Sequence, residues 1–267
     1  MQSVSRAACE VLTAKLPADK VQAAHALRTL WNTGKLEIFV DTQCVVPTNP
    51  GRPDTPHLVE PSELKRRRLG SVHGRSALLH AIAHIEFNAI DLAADMVARY
   101  SNDTRISDQQ RHEFISDWIG VCDDEARHFG MVNTRLQELG SFYGENSAHN
   151  GLWEAALSTM DDLAARLVIA PMVLEARGLD VTPNMIKKLE NVGDNKSADI
   201  LKIIYEDEIG HVAAGVKWFF YLCEHENREK KAYFKELLAL HFRGSLKPPF
   251  NEKARKMAGL PDDFYLG

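Results

Sequence analysis

The sequence predicts an all-α protein built on four long helices, and two observations carry that expectation. From His73 onward apolar residues recur at helical spacing, and capping residues, Gly and Pro interrupt the pattern in only a few places. The one extended signal, residues 36–46 (LEIFVDTQCVV), has no second strand along the chain to pair with. With 267 residues, 45% of them hydrophobic and 26% charged, the chain is long enough for one large or two small domains with a full core.

Taken in order, residues 3–15 and 18–32 read as two short helices. Pro47–Pro61 holds five of the eleven prolines and must be irregular. The basic run Lys65-Arg66-Arg67-Arg68 reads as a solvated helix end. A first long helix covers about 76–99 and stops at Ser101-Asn102-Asp103; a second starts at the cap Ser107-Asp108 and runs to about 139, before Gly140. A third lies within 152–177 and stops at Gly178, after which Thr182-Pro183 opens a short helix as a cap followed by a first-turn proline. A fourth spans about 196–224, and a last helix at 228–242 precedes a Pro-rich tail. The expected organisation is a helical extension with its irregular segment at 1–70, a bundle at 71–226, and a C-terminal helix and tail at 227–267.

Bulk properties exclude several classes. A net charge of −5 argues against a general nucleic-acid binder, although the run at 65–68 leaves a local basic patch open. No uninterrupted apolar stretch of about 18 residues exists, so no membrane span is expected, and the N-terminus lacks an apolar signal region. Cys9, Cys44, Cys122 and Cys223 are far apart and form no C-x-x-C pair, which speaks against a disulfide framework or a cysteine metal site and fits a reducing, cytoplasmic setting.

The informative anomaly lies on the helix faces. In the first long helix the stripe at 79, 82, 86, 89/90, 93 and 97 reads Leu, Ile, Glu, Ala/Ile, Ala, Val, so Glu86 sits among apolar residues. In the second, Glu125 shares a face with Trp118, Cys122, Phe129 and Val132, and His128 follows it. In the third, the stripe Met160, Leu163, Leu167, Met172 runs into Glu175; in the fourth, Glu208 and His211 lie among Leu201, Ile204 and Val212. Four converging carboxylates would repel one another and resist desolvation, and cations resolve the conflict directly. The order Glu86, Glu125-x-x-His128, Glu175, Glu208-x-x-His211 is the ligand set of dinuclear carboxylate bundles, because residues three apart on a helix can reach one metal. The two halves also match: 39 residues separate Glu86 from Glu125, and 33 separate Glu175 from Glu208. The bland alternative is four buried glutamates, each in its own salt bridge.

Asp124 and Asp207, each preceding a Glu-x-x-His, are candidates to hold the ligand imidazoles. Tyr205, one turn before Glu208, could donate a hydrogen bond near the centre. His80 and His84 fall on another face and read as structural; Asp91 and Asp95 continue that polar face; Arg127 could pair with Asp124 or Asp207. Pro171, one turn before Glu175, should kink the third helix.

The pattern resembles the ferritin-like di-iron superfamily. More narrowly, HAIAHIEFNAIDLAAD, DDEARHF, PMVLEARGLDVTP and YEDEIGHVAAG resemble an uncharacterised bacterial ferritin-like family over about residues 70–225. The resemblance implies a ferritin-like four-helix bundle with extra N- and C-terminal helices, and two iron ions (or manganese) held by Glu86, Glu125, His128, Glu175, Glu208 and His211. It implies an oxidoreductase, with O2-dependent oxidation of an organic small molecule expected first. Peroxide removal and iron storage are the alternatives. The chain has no C-x-x-C pairs of its own, so electrons would come from a separate donor, and a homodimer is compatible with the N-terminal extension. In that topology the second and third helices run parallel, so a continuous helix over 151–177 would leave too little chain to cross the bundle.

Overall fold

The computed structural model describes residues 2–64 and 67–266; Lys65 and Arg66, half of the basic run, lie outside the described residues. The protein is mostly helical. It forms two compact units, Met1–Gly151 with Lys188–Ile200, and Leu152–Lys187 with Leu201–Gly267.

In the first unit the expected short helices are α1 (Val4–Thr13) and α2 (Pro17–Asn32). Ser3 caps α1, its hydroxyl accepting from the Arg6 N–H, and Pro17 supplies a preset φ at the start of α2. The extended segment does find a partner, but only over two residues: β2 (Leu36–Glu37) pairs in parallel with β1 (Gln2–Ser3). The long helices α3 (Val72–Tyr100) and α4 (Asp108–Glu138) pack together as a hairpin. Its turn is closed by Arg111, which donates to the carbonyls of Ser101, Asp103 and Ile106. Helix α1 packs on α3 and α2 on α4.

Helix α3 is buried far beyond one stripe: every residue from Glu86 to Ala98 is buried. It would pass as a membrane span by length and composition, yet 78% of its most apolar window is buried in the protein, as in a core helix. The polar face that continues through Asp91 and Asp95 is satisfied in the interior. Asp91 forms a fully buried ion pair with Lys20 of α2, and Asp95 accepts from Arg99 at 2.7 Å.

In the second unit the region of the third helix is not one continuous helix. Helix α5 (Gly151–Ser158) ends, residues 159–162 turn, and Asp162 caps α6 (Leu163–Ile169) by accepting from the Ala164 N–H. The expected kink at Pro171 takes the form of a π-helical segment, Ala170–Glu175. A proline lacks the N–H and crowds the carbonyl four residues back, and a wider turn relieves both.

The expected stop at Gly178 and new start at Thr182-Pro183 are not found, because α7 runs unbroken from Ala176 to Asn191 with Pro183 inside it. The Leu179 carbonyl, which a residue with an N–H at 183 would have satisfied, instead accepts from the Asn251 side chain at 3.0 Å. Helices α8 (Asn195–His225) and α9 (Lys230–His241) lie where expected, while the tail adds α10 (Glu252–Met257). Bidentate bonds from Arg255 to the buried Asp180, at 2.9 and 2.7 Å, tie α10 to α7.

Candidate metal centre

Each unit carries one half of the expected ligand set. In the first, α3 presents Glu86 and α4 presents Glu125 and His128, an i, i+3 pair on one face. His128 Nδ1 lies 3.2 Å from Glu86 Oε2 and 3.5 Å from Glu125 Oε2, and the potential ligand atoms of all three lie within 4.8 Å of one another. All three side chains are buried. Burial opposes a charge on His128, but Glu125 and Glu86 outweigh it and push its pKa up to about 11. A bound proton thus balances part of the carboxylate charge, and a cation at the same place would balance more of it.

In the second unit Glu175 closes the π-helical segment, while Glu208 and His211 share a face of α8. Their ligand atoms again lie within 4.8 Å of one another, with His211 Nδ1 3.6 Å from Glu208 Oε2. His211 is buried, and the two carboxylates are partly accessible. The close approach of Pro171 to α8 sets the position of this segment. A Cβ on Gly215 would lie 2.5 Å from Pro171 Cγ, so only glycine lets the ring seat there.

Among the supporting candidates, Asp124 forms an i, i+3 ion pair with Arg127 at 3.1 Å. Asp207 is partly buried. The Tyr205 hydroxyl accepts from Asn251 at 2.9 Å, the same side chain that serves Leu179, so it is held by the C-terminal segment. His80 and His84 do hold structure, gripping the loop after α4. His80 Nε2 accepts from the Gly144 N–H at 2.9 Å, and His84 bonds the Tyr143 hydroxyl and the His149 carbonyl.

Sequence reasoning missed Lys20, Arg52 and Tyr143, which converge on the polar face of α3 from elements distant in sequence. The signal that could have found them is the polar line His80, His84, Asn88, Asp91 on a largely buried helix. Those four residues need buried partners, and the partners come from elsewhere.

The family described as Protein of unknown function (DUF455) matches residues 13–266. The chain belongs to this family. An uncharacterized protein of Haemophilus influenzae is 40% identical over 207 residues, covering 78% of this chain and 72% of that protein. No solved structure gives a significant match. Each triad has a donor set suited to a divalent or trivalent cation: two carboxylates for a hard ion and one imidazole nitrogen.

Proposed function

We propose that this protein is a dinuclear-iron oxidoreductase of ferritin-like type that oxidises a small organic substrate with O2, using electrons from a separate donor protein. The observation that carries the reading is the repetition of one donor set. Glu86, Glu125 and His128 in one unit, and Glu175, Glu208 and His211 in the other, each bring two carboxylates and one imidazole within 4.8 Å. The chain order Glu, Glu-x-x-His, Glu, Glu-x-x-His supports joining the triads as halves of one centre. A pair of irons there would supply redox chemistry toward dioxygen. The protein's part is to hold the metals in rigid helices and keep water away, which the unbroken burial of α3 from Glu86 to Ala98 favours. Asp124, Asp207 and Tyr205 would orient or tune the ligands from outside the triads.

The test is metal content per chain after growth with iron and with manganese, together with optical and magnetic spectra before and after reduction and O2 exposure. The expected result is about two irons per chain, magnetically coupled, with a new near-ultraviolet band after O2. Glu125→Ala and Glu208→Ala should each lower the content. Two uncoupled irons would overturn the joining of the triads. Two manganese ions with rapid peroxide turnover would replace the reading with peroxide removal, and many irons per chain would replace it with storage. No metal in the wild-type chain would refute it outright.

A further inference from the structure

A cavity of about 230 Å³ lies wholly within the first unit, between the Pro-rich segment and α3. Arg52, Asp54 and Pro56 line one side, His84 and Phe87 of α3 the other, and Tyr143 reaches in from the loop after α4. Its positive group is unusual. Arg52 donates from Nη1 to Asn150 Oδ1 at 2.8 Å and from Nη2 to Asn88 Oδ1 at 2.7 Å, and both partners are neutral amides. Among the described residues no carboxylate forms an ion pair with Arg52; Asp91 acts on it only at longer range and is already paired with Lys20. A guanidinium has five N–H donors, so three remain beyond these two bonds, in the planar fork that suits a carboxylate.

The other groups set what the cavity can accept. The Tyr143 hydroxyl donates to His84 Nδ1 at 2.9 Å, and His84 Nε2 donates to the His149 carbonyl at 3.0 Å, so both rings are locked and neutral. Among the lining residues Arg52 then carries the one permanent positive charge, with the His57 imidazole beside it, and Asp54 adds a negative one to the wall. That balance suits a monoanion and disfavours a dianion such as phosphate. The rings of Tyr143 and Phe87, with centroids 5.3 Å apart, and the Pro56 ring give the cavity an apolar wall. The volume falls below the roughly 300–1,000 Å³ of sites for drug-sized molecules, which leaves room for about one ring with a short substituent.

We propose that this cavity binds a small aromatic monocarboxylate, its carboxylate on Arg52 and its ring against Phe87 and Tyr143. The assignment does not depend on a metal in either triad. Calorimetric titration of the full-length protein with benzoate tests it, with benzamide as the uncharged isostere and inorganic phosphate as the competing anion. Benzoate should bind at least about tenfold more tightly than benzamide and than phosphate, and Arg52→Gln should weaken benzoate by about tenfold or more. Asp54→Asn, on the exposed wall, should tighten benzoate by about two- to fivefold. Absence of benzoate binding, equal affinity for benzoate and benzamide, or preference for phosphate would overturn the proposal. So would an undiminished affinity in folded Arg52→Gln. If Arg52→Gln does not fold, the wild-type ligand comparison and Asp54→Asn decide the matter alone.

Discussion

Replacing Gly215 with Ala tests how the second triad is held. A Cβ at this position would lie 2.5 Å from Pro171 Cγ and 2.6 Å from Pro171 Cβ. Carbon atoms rest at about 3.5–4.0 Å, so the overlap is about 1 Å. Neither side can yield alone, because the proline ring is tied to the π-helical backbone and the new methyl is tied to α8. Overpacking of this kind costs about 1–3 kcal/mol, while alanine in a helix interior returns up to about 1 kcal/mol relative to glycine. The expected net loss is about 1–2 kcal/mol, or about 2–8 °C in Tm for a chain of this size. Glu175 ends the displaced segment, so metal bound at the second triad should fall as well. Thermal unfolding by circular dichroism and metal analysis read the two effects. Gly210→Ala is the control, since nothing lies within 4 Å of its added Cβ and it should be neutral or stabilising. If Gly215→Ala melts with Gly210→Ala and holds as much metal, the close approach constrains neither the fold nor Glu175.

The pH dependence of stability should carry a contribution from His84. Burial, with further opposition from Arg52, His80 and His149, holds its pKa down to about 4 against the usual 6.5. The unfolded chain therefore takes up the proton first, so the stabilisation is complete above about pH 6.5 and is lost as pH falls toward 4, by about 3 kcal/mol in all. Urea melts at pH 7 and pH 4.5 should show the wild type losing about 2–3 kcal/mol relative to His84→Gln; an unchanged gap would mean that the imidazole is not held neutral. Arg255→Met leaves Asp180 buried without its bidentate partner and should cost about 3 kcal/mol or more in the same assay, and a loss under about 1 kcal/mol would discount the tie between α10 and α7. Cys9 and Cys44 are free thiols whose sulfurs lie 3.4 Å apart. Diamide should join them in an intramolecular disulfide, seen by non-reducing peptide mapping and abolished by Cys44→Ser, and survival of both thiols under excess diamide would count against a reactive pair.

Some of the molecule was legible because its signals are local. The ends of α3, α4, α8 and α9 follow from caps and breakers close in sequence, and each lies within a few residues of its expected place. The two triads were legible for a related reason. An i, i+3 pair is set by helix geometry, and a glutamate inside an apolar stripe is visible without knowing the partner helix. The misreadings arose where a distant residue answers a local problem. Pro183 looks like a helix start, but Asn251, far along the chain, satisfies the carbonyl it exposes. Asp91 reads as part of a polar face, but nothing local shows that Lys20 of α2 meets it in the interior. Cys9 and Cys44 look unrelated, but the folding of α1 against the β2 strand region sets them side by side.

By itself the sequence determined the helical class, the positions of the long helices and the six residues of the two triads. Periodicity, capping and i, i+3 spacing are properties of short stretches of chain. The tertiary structure alone decided what covers the polar face of α3. Arg52, Asn88, Asn150, His84 and Tyr143 come from segments whose meeting depends on how the Pro-rich loop and the turn after α4 settle on that helix. No local pattern encodes such a meeting, because each of these residues reads as an ordinary loop or helix side chain until burial removes water and makes the others its partners.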